Sequence, residues 1–519
     1  MRFFKKCFAF AAIMALLSSC LSDNSKEKME NTEIWPHGTM YEIFVQSYAD
    51  SNGDGIGDFN GLTSKLDYLK SLGIEGIWLM PFNPSPSYHK YDVTDYYSIH
   101  PDYGSMDDFK NFLAEAHKRS IRVIMDLVVN HTSWEHPWFK SATQGKDSPY
   151  RNYYVWANID SVKHELTKKE TTFDSDNIWQ WHSNGDDSDY YFGFFYKGMP
   201  DLNYDNPKVR EEVIKIGTFW LKDIGVDGFR LDAAGHIYPD DRAIDSQQWW
   251  VEFSDAMRKI KPDVYIVGEV WGSGQKLASF TKGIRSVMNV NLYYDIVDML
   301  SKEIDNGVID SLILSRKLSK EIEPDFNDAI IVDNHDTKRI RSNLGGSLEK
   351  EKLAYAILLT LPGTPYVYYG DEIGMLGSKP PDENVREPFL WNVDKKDTFR
   401  TKWRTPKYST DSTVVPLALQ LEDPNSTFHF FQSWIEKRNN SMVLREGNIE
   451  SIETPDYLLS YSRSLPDQKV VVLHNLTGLT QRVALQELGC STVSFFTGEN
   501  PEFEDGKLLL QPYQSILLK

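Results

Sequence analysis

Cysteine is scarce in this sequence, with 3 residues among 519. Cys7 and Cys20 both lie in the first twenty residues, which leaves Cys490 as the one cysteine of the remaining chain. A disulfide bond needs two cysteines, so no disulfide framework can stabilise the main body of the protein. The fold must rest on a hydrophobic core, and a chain with 41% hydrophobic and 25% charged residues can build one.

Basic residues are fewer than acidic residues in this sequence. The chain has 56 Lys and Arg against 75 Asp and Glu, which gives a formal net charge of −19. A protein that binds the phosphate backbone of a nucleic acid needs a basic face. We therefore expect no nucleic-acid partner.

Long apolar runs are missing as well, apart from one near the N-terminus. Three basic residues precede a run at 8–17 that is too short to span a bilayer, which is the pattern of an export signal. The sequence Leu-Ser-Ser-Cys at 17–20 resembles the lipobox of bacterial lipoproteins, in which the cysteine is lipidated once the signal is removed. We expect a signal peptide at 1–19, lipid on Cys20 and a polar tether at 20–36. The lipid would hold the exported protein on a bacterial membrane, at the outer membrane or the cell surface.

From residue 39 onward, short apolar runs alternate with longer amphipathic stretches. This alternation predicts parallel β/α units, and eight such units close a barrel. The eight predicted strands are MYEIFVQ (40–46), GIWLMP (76–81), RVIMDLVV (122–129), GFRLDA (228–233), VYIVGEV (264–270), MNVNLYY (288–294), IIVDNHD (330–336) and PYVYYGDE (365–372).

Two parts of the chain interrupt this pattern. The interval between the third and fourth predicted strands is far longer than one loop and one helix need, so an inserted subdomain is predicted at 132–202. Short alternating strands with turn residues predict a C-terminal all-β sandwich domain at 445–519. The predicted fold is thus a (β/α)₈ TIM barrel at 37–131 and 203–444, with a subdomain inserted after strand 3.

Polar side chains stand at the ends of several predicted strands. In a (β/α)₈ barrel the carboxyl ends of the strands meet at one face, so these side chains are expected to converge. They are Asp126, Asn130, Asp232, Glu269, His335 and Asp336.

Seven segments carry a resemblance to a known family. They are GIWLMP (76–81), DLVVNH (126–131), MPDLN (199–203), GFRLDAAGH (228–236), GEVW (268–271), VDNHD (332–336) and GTPYVYYGDEIGM (363–375). In this order they resemble the signature segments of the α-amylase family, glycoside hydrolase family 13, and the similarity covers about residues 37–519. The resemblance implies an enzyme that acts on α-glucosidic bonds.

The resemblance also implies the roles of three carboxylates in a retaining mechanism. Asp232 matches the nucleophile, Glu269 the general acid/base, and Asp336 the third carboxylate, which binds sugar hydroxyls and favours ring distortion. Arg230 lies two residues before the nucleophile, and its fixed charge is expected to keep Asp232 ionised.

Further sugar contacts are implied by the same resemblance. They comprise histidines that hydrogen-bond the sugar, a tyrosine whose ring stacks on it, and an Asp–Arg pair that holds the next sugar on the non-reducing side. With the arginine beside the nucleophile, the implied substrate-binding residues are His89, Tyr91, His131, Arg230, His335, Asp382 and Arg386.

Oxygen-bearing residues at alternate positions indicate a cation site in the loop after the first strand. The spacing is like that of an EF-hand through its ninth position, but Gly61 stands at the twelfth, where an EF-hand has Glu. Many members of the resembled family hold Ca²⁺ here, or sometimes Mg²⁺; the alternative is an Asp/Gly turn that hydrogen-bonds to itself. The implied ligands are Asp50, Asn52, Asp54, the carbonyl of Ile56, and Asp58.

A second family calcium site would join the inserted subdomain to the barrel. Its implied ligands are Asn130, Asp201 and the carbonyl of His236. No organic cofactor is expected.

Two positions near Asp232 bear on the kind of reaction. Many α-amylases carry Lys three residues after the nucleophile, where it grips sugar on the reducing side, and this sequence has Gly235. That departure favours exo-action or glycosyl transfer. Ala233 resembles members that cleave α-1,4 bonds, whereas Val is usual in α-1,6 specialists.

The implied function is a lipid-anchored retaining hydrolase of starch or malto-oligosaccharides, similar to the amylases of bacterial starch-utilisation systems. Its expected partners are the α-glucan, the membrane and other glycan-uptake proteins. An α-glucosidase or a 4-α-glucanotransferase is an alternative, and a non-catalytic glycan-binding protein on this fold is a more remote one. A complete set of catalytic carboxylates argues against the last. The sequence leaves open endo or exo action, the preferred chain length, the oligomeric state and the role of Cys490.

Overall fold

Eight short parallel strands close into a barrel in the computed structural model, which describes residues 38–163, 180–186, 189–272, 274–498 and 500–519. In chain order the strands up to residue 368 are β1 (Met40–Ile43), β2 (Gly76–Leu79), β3 (Arg122–Leu127), β4 (Trp156–Ala157), β5 (Trp181–Asp186), β6 (Asp189–Phe192), β7 (Gly228–Leu231), β8 (Tyr265–Gly268), β9 (Ser286–Asn289), β10 (Ala329–Ile330) and β11 (Thr364–Tyr368). The barrel has the cyclic order β1-β11-β10-β9-β8-β7-β3-β2, which leaves β4–β6 outside it. Each of the eight predicted runs overlaps one barrel strand, so the predicted TIM barrel is confirmed.

Helices surround the barrel and connect its strands. In chain order they are α1 (Val45–Tyr48), α2 (Phe59–Ser64), α3 (Leu66–Leu72), α4 (Met106–Lys118), α5 (Pro137–Ala142), α6 (Ile159–Val162), α7 (Pro207–Thr218), α8 (Ala243–Ile260), α9 (Gly274–Ile284), α10 (Val290–Lys302), α11 (Val308–Ile322), α12 (Ile340–Asn343), α13 (Leu348–Thr360), α14 (Leu417–Gln420), α15 (Thr427–Asn439) and α16 (Met442–Glu446). Among the described residues, no helix combines the length and the apolar character that a membrane span needs. The predicted signal peptide, tether and lipidated Cys20 lie outside the described residues.

The strand that precedes Asp232 depends on a glycine. Gly228 begins β7, which pairs in parallel with β3 on one side and β8 on the other. A Cβ atom on Gly228 would lie 1.9 Å from the carbonyl oxygen of Tyr265. Such a contact is impossible, so any other residue here would push β7 away from β8 and displace the side chains at both strand ends.

One predicted strand was wrong over most of its length. The run MNVNLYY (288–294) contains only the last two residues of β9, and from Val290 onward it is helix α10. The Asn289 side chain accepts a hydrogen bond from the backbone N–H of Leu292 at 3.1 Å and so caps this helix. A short apolar run does not distinguish a strand from a buried helix by its periodicity.

The segment between β3 and α7 forms its own small sheet. Its strand order is β4-β6-β5, and all of the pairing is antiparallel. Two isolated bridges, His131 with Asp201 and Tyr154 with Leu202, join the two ends of this segment. The insertion therefore begins and ends next to the carboxyl end of β3.

Two antiparallel sheets form the C-terminal region. Its strands are β12 (Asn448–Ser451), β13 (Leu458–Leu465), β14 (Gln468–Asn475), β15 (Gln481–Val483), β16 (Val493–Phe496), β17 (Glu502–Glu504), β18 (Lys507–Leu510) and β19 (Ser515–Leu518). One sheet has the order β12-β13-β14-β19-β16 and the other β15-β18-β17. The predicted all-β C-terminal domain is confirmed.

Candidate active site

Three carboxylates at or near the ends of three neighbouring strands meet around one guanidinium. Arg230 on β7 places Nη1 2.6 Å from Oδ1 of Asp232 and 2.8 Å from Oδ1 of Asp126, which lies on β3. Its Nη2 lies 2.8 Å from Oε2 of Glu269, one residue beyond β8. Because β3, β7 and β8 are adjacent and parallel, their carboxyl ends bring these groups together.

The charge balance of this cluster differs from the sequence expectation. Arg230 was expected to keep Asp232 ionised, and it does contact that carboxylate, but it shares its one positive charge with Asp126 and Glu269. Burial, opposed by Arg230, raises the pKa of Asp232 well above its ordinary value and that of Asp126 to about 6. Three carboxylates around one guanidinium favour a state in which one carboxyl keeps its proton. A retaining glycosidase needs such a proton for its leaving group.

Glu269 is fixed by hydrogen bonds from both sides. Its Oε2 accepts from the backbone N–H of Ala233 at 2.9 Å, and its Oε1 accepts from the indole N–H of Trp271 at 2.9 Å. Ala233 donates from a left-handed conformation with φ of 47°. The backbone beside Asp232 is thus shaped so that its N–H points at the neighbouring carboxyl group.

His335 lies between two carboxylates and is fully buried. Its Nδ1 lies 2.5 Å from Oε1 of Glu42, and its Nε2 lies 3.0 Å from Oδ2 of Asp336 and 2.6 Å from the hydroxyl of Tyr91. Burial alone would lower the pKa of His335, but Asp336 and Glu42 raise it to about 9. The imidazole is therefore protonated at neutral pH and donates from both nitrogens.

Asp336 is the most strongly paired of the three predicted catalytic carboxylates. Oδ1 accepts from Nη2 of Arg386 at 2.9 Å, and Oδ2 faces His335. Burial opposes its ionisation, but His335, Arg386 and Lys379 together hold the pKa of Asp336 well below its usual range. Asp382 also approaches Arg386, with Oδ2 3.7 Å from Nη2, and its Oδ1 lies 3.2 Å from Lys379 Nζ. Asp336 therefore stays ionised and can accept hydrogen bonds from sugar hydroxyls.

The remaining predicted sugar contacts surround Tyr91. Its ring stacks on that of His335 with centroids 5.6 Å apart, and its hydroxyl donates to Oδ2 of Asp126 at 3.1 Å. His89 accepts from the backbone N–H of Tyr91 at 3.1 Å, and Nε2 of His131 lies 3.1 Å from the Tyr91 carbonyl. Burial lowers the pKa of His89 to about 3 and that of His131 to about 4, so both rings are neutral. The structure thus brings every predicted catalytic and substrate-binding side chain into one contiguous network.

Sequence reasoning missed two residues of this network, Glu42 and Trp271, and gave no role to Asp126. Glu42 stands inside an apolar strand and is buried, and a lone acid in such a strand is the signal that could have marked it. Trp271 belongs to the quoted GEVW segment, but its contact with Glu269 cannot be read from that segment. Asp126 was predicted to converge with the other strand-end residues, which it does.

The first predicted metal loop is a series of hydrogen-bonded turns. Asp50 Oδ2 accepts from Gly55 N–H at 2.8 Å, Asn52 Oδ1 from Asp54 N–H at 2.9 Å, and Asp54 Oδ1 from Ile56 N–H at 2.8 Å. Gly55, with φ of 93°, makes the sharp bend. Within the described ranges, no three His, Cys, Asp or Glu side chains lie close enough together to hold a metal by themselves. A cation here would use amide and carbonyl oxygens as well, a donor set that suits Ca²⁺.

In that loop the Asp58 side chain accepts hydrogen bonds from protein groups rather than facing the predicted cation position. Its Oδ1 accepts from Ser51 Oγ at 2.7 Å and from Gly61 N–H at 2.7 Å, where it caps helix α2. The oxygen groups best placed for a cation are therefore those of residues 50–56.

The second predicted metal set contains an orphaned polar atom. Asn130 Nδ2 donates to Asp201 Oδ2 at 3.3 Å, while Asn130 Oδ1 is buried without a hydrogen-bond partner among the described residues. Burial raises the pKa of Asp201 to about 8, opposed by hydrogen bonds from Phe194 and Asn130. The ring of His236 stacks on Phe194 with centroids 4.4 Å apart. An unpaired amide oxygen beside a buried carboxylate fits a cation.

Comparison with known proteins agrees with this geometry. A family model described as "Alpha amylase, catalytic domain" matches residues 42–447, and one described as "Alpha-amylase SusG C-terminal domain" matches residues 458–517. The chain is 45% identical over 491 residues to Alpha-amylase 3 of Dictyoglomus thermophilum, with 94% of each chain covered. It is 36% identical over 445 residues to a 4-alpha-glucanotransferase of Thermotoga maritima, with 84% of this chain and 95% of the relative covered. The crystal structure of an alpha-amylase from H. orenii superposes with a TM-score of 0.84 at 38% identity and covers 93% of this chain and 99% of that one. The chain therefore belongs to the α-amylase family of glycoside hydrolases.

Proposed function

We propose that this enzyme is a retaining hydrolase of α-1,4-glucosidic bonds in starch or malto-oligosaccharides. The observation that carries the proposal is the shared guanidinium of Arg230, which holds Asp232 and Glu269 together at the ends of two neighbouring strands. A nucleophilic carboxylate and a proton-donating carboxyl held side by side are what a double displacement at one sugar carbon requires.

The mechanism follows from these positions. Asp232 attacks the anomeric carbon of the sugar while Glu269 gives its proton to the departing glycosidic oxygen, so the C–O bond breaks as an Asp–sugar ester forms. Glu269 then takes a proton from water, the water oxygen attacks the same carbon, and Asp232 leaves. Asp336 accepts hydrogen bonds from hydroxyls of the same sugar, and the protonated His335 holds Asp336 in position. Two displacements retain the configuration of that carbon.

Product analysis tests this function. The purified protein is incubated separately with maltoheptaose, soluble starch and pullulan in the presence of Ca²⁺, and product sizes are followed over time. Short mixed oligosaccharides from starch at early times are the expected result and indicate endo-action. Glucose released alone from chain ends indicates an α-glucosidase instead. No product from any of the three substrates would refute cleavage of α-1,4-glucans.

Glycosyl transfer is the second candidate, and Gly235 favours it. A Cβ atom on Gly235 would meet nothing closer than Val270 at 3.7 Å, so position 235 offers no side chain to grip sugar on the reducing side. A sugar hydroxyl instead of water could then enter this space and attack the Asp232 ester. The relative from Thermotoga maritima, a 4-alpha-glucanotransferase, supports this alternative. Products longer than the maltoheptaose supplied would establish it.

Ca²⁺ is the cation that we propose for both oxygen-rich sites. In the first, the side chains of Asp50, Asn52 and Asp54 and the carbonyl of Ile56 would hold it; Mg²⁺ is the alternative there. In the second, Asn130 Oδ1, Asp201 and the carbonyl of His236 would hold it between the insertion and the barrel. The ion would supply structural cross-linking rather than a step of the reaction.

We also propose that lipid on Cys20 attaches the exported protein to a bacterial membrane, at the outer membrane or cell surface, beside other glycan-uptake proteins. The basic and apolar pattern of residues 1–20 supports this. Expression of Cys20→Ser in a Gram-negative host tests the anchor. The wild-type protein is expected in the membrane fraction and the variant in the soluble fraction; equal distribution would refute lipidation.

A further inference from the structure

A groove separate from the catalytic network opens between three helices. It lies between the first turn of α9, the first turns of α10 and residues 308–318 of α11, and its volume is about 560 Å³. Helix α9 begins shortly after β8 and α10 directly after β9, so the groove lies on the barrel face that carries the active site. This volume is within the range of ligand-binding pockets.

The lining of the groove combines apolar surface from leucine and valine side chains with several polar groups. The side chains of Gln275, Asp295, Ser311 and Ser315 have neither a hydrogen-bond nor an ion-pair partner among the residues that the structure describes. Leu314, which is 59% exposed, borders them with apolar surface. The described lining residues include no lysine or arginine, which argues against a phosphorylated ligand.

A hydrogen bond connects the groove to the loop that carries the general acid/base. Asn291, a lining residue, donates from Nδ2 to the carbonyl oxygen of Gly272 at 2.7 Å, three residues after Glu269. In a retaining glycosidase the acid/base gives its proton to the leaving group, so it marks the side of the cleaved bond where the departing chain lies. The groove therefore lies beyond the leaving-group side of the active site. That is the side on which Gly235 provides no side chain.

We propose that this groove is a second glucan-binding site, which holds the reducing-end part of a long α-glucan while the active site holds the bond to be cleaved. Amide, hydroxyl and carboxylate groups without protein partners can bind sugar hydroxyls, and Leu314 offers apolar contact to the C–H face of a sugar ring. The choice of an α-glucan as ligand rests on the proposed function.

Calorimetric titration of the full-length Asp232→Asn protein with maltoheptaose tests the groove without turnover. Two classes of binding site are expected. Ser311→Phe places a phenyl ring in the groove and is expected to remove one class, with at least an approximately tenfold loss of its affinity. The matched control is Ser301→Phe, the same change at an exposed serine of α10 outside the groove, which should keep both classes.

A second variant shows whether a loss of binding in Ser311→Phe comes from misfolding rather than from the filled groove. Gln275→Ala with Asp295→Ala removes two hydrogen-bonding groups without adding bulk, and the same class of site should weaken. Unfolding temperatures of all variants are compared with that of the parent protein.

Cleavage of maltoheptaose by the wild-type protein is measured in parallel, so that the two proposals fail separately. If the wild-type protein cleaves maltoheptaose but the titration shows a single class of binding site, the groove proposal alone is overturned. The same holds if two classes of site remain in both groove variants. If the wild-type protein neither cleaves nor binds maltoheptaose, the proposed function fails and the groove proposal fails with it.

Discussion

At the scale of single residues, Glu269 is held by three donors, namely Arg230, Ala233 and Trp271. Glu269→Gln keeps the shape but cannot transfer a proton, so kcat on maltoheptaose is expected to fall about 10²- to 10⁴-fold. A dinitrophenyl glycoside has a leaving group that needs no proton, so its first step should be far less affected. Initial rates on both substrates, with kcat and KM separated, check this.

A matched variant separates proton transfer from positioning. Trp271→Phe keeps an aromatic ring but removes the hydrogen bond to Oε1 of Glu269. Trp271→Phe should lower kcat much less than Glu269→Gln does, and it should lower kcat on the two substrates by the same factor. Equal losses on both substrates for Glu269→Gln would contradict its role as the acid.

The ion pairs of His335 predict an alkaline limit of activity. Its pKa of about 9 lies above the ordinary value near 6.5, so its stabilising charge is fully present below about pH 6.5 and is lost as the pH rises through about 9. We expect kcat/KM and the free energy of unfolding to fall in this range. Glu42→Gln removes one of the two carboxylates that raise this pKa and should move the alkaline limb to lower pH.

The pH profile of kcat/KM measures that shift. Glu450→Gln, at an exposed residue of β12, is the control and should leave the profile in place. An alkaline limb that does not move in Glu42→Gln would show that His335 does not set it.

The sequence predicted the catalytic residues well because each stands in a short contiguous segment. Asp232, Glu269 and Asp336 could be identified from four or five neighbouring letters, whereas Glu42 could not. Glu42 acts on His335, which is 293 positions away in the chain, and the two meet only because the closed barrel brings β1 and the end of β10 together on either side of β11. The raised pKa of Asp232 was missed for a similar reason, since it comes from burial in the folded barrel and from the charges of Glu269 and Asp126 beside the same guanidinium.

At the scale of secondary-structure elements, two buried arginines complete the end of helix α13. Arg438 on α15 donates to the carbonyls of Leu359, Leu361 and Gly363, and Arg463 on β13 donates to the carbonyl of Thr360. The last carbonyls of a helix have no partner within the helix and carry partial negative charge, which an arginine satisfies well. The C-terminal sheet is thereby joined to the barrel through a helix end.

Removal of one of these arginines should destabilise the protein strongly. Arg438→Ala leaves three buried carbonyls without a donor, so we expect a loss of about 3 kcal/mol in the free energy of unfolding. Urea denaturation followed by circular dichroism measures it. Glu436→Ala on the exposed side of the same helix should change it by less than about 0.5 kcal/mol. Similar midpoints for the two variants would refute the role given to Arg438.

The sequence predicted the number and order of the barrel strands, because each is a buried apolar run between amphipathic stretches. It overestimated their length: the run 330–336 supplies only one residue to β10, and the run 288–294 is mostly helix. Strand ends in this barrel are set by pairing with neighbouring strands and by capping groups such as Asn289. Neither can be predicted from the local periodicity of the sequence.

At the scale of the whole molecule, the proposed second Ca²⁺ would connect the insertion to the barrel through Asp201 and Asn130. A ligand that binds only the folded state stabilises it by about 2.7 kcal/mol at a concentration one hundred times its Kd. Thermal unfolding should therefore shift to lower temperature when the metal is removed with EDTA and recover when Ca²⁺ is restored.

Variants assign that shift to a site. Asn130→Ala should abolish the part that depends on the second site, and Asp54→Ala the part that depends on the loop at 50–58. An unfolding temperature that does not respond to EDTA in the wild-type protein would rule out a stabilising ion at either place.

The left-handed backbone at Ala233 limits how this chain can change its linkage preference. The resembled family commonly has Val at this position in α-1,6 specialists, but a β-branched residue at a φ of 47° is strained. A Val here would either bear that strain or turn the backbone and withdraw its N–H from Glu269. A lineage descended from this sequence would therefore need compensating substitutions around residue 233 before the exchange became tolerable, so adaptation to α-1,6 bonds could not proceed through this single mutation.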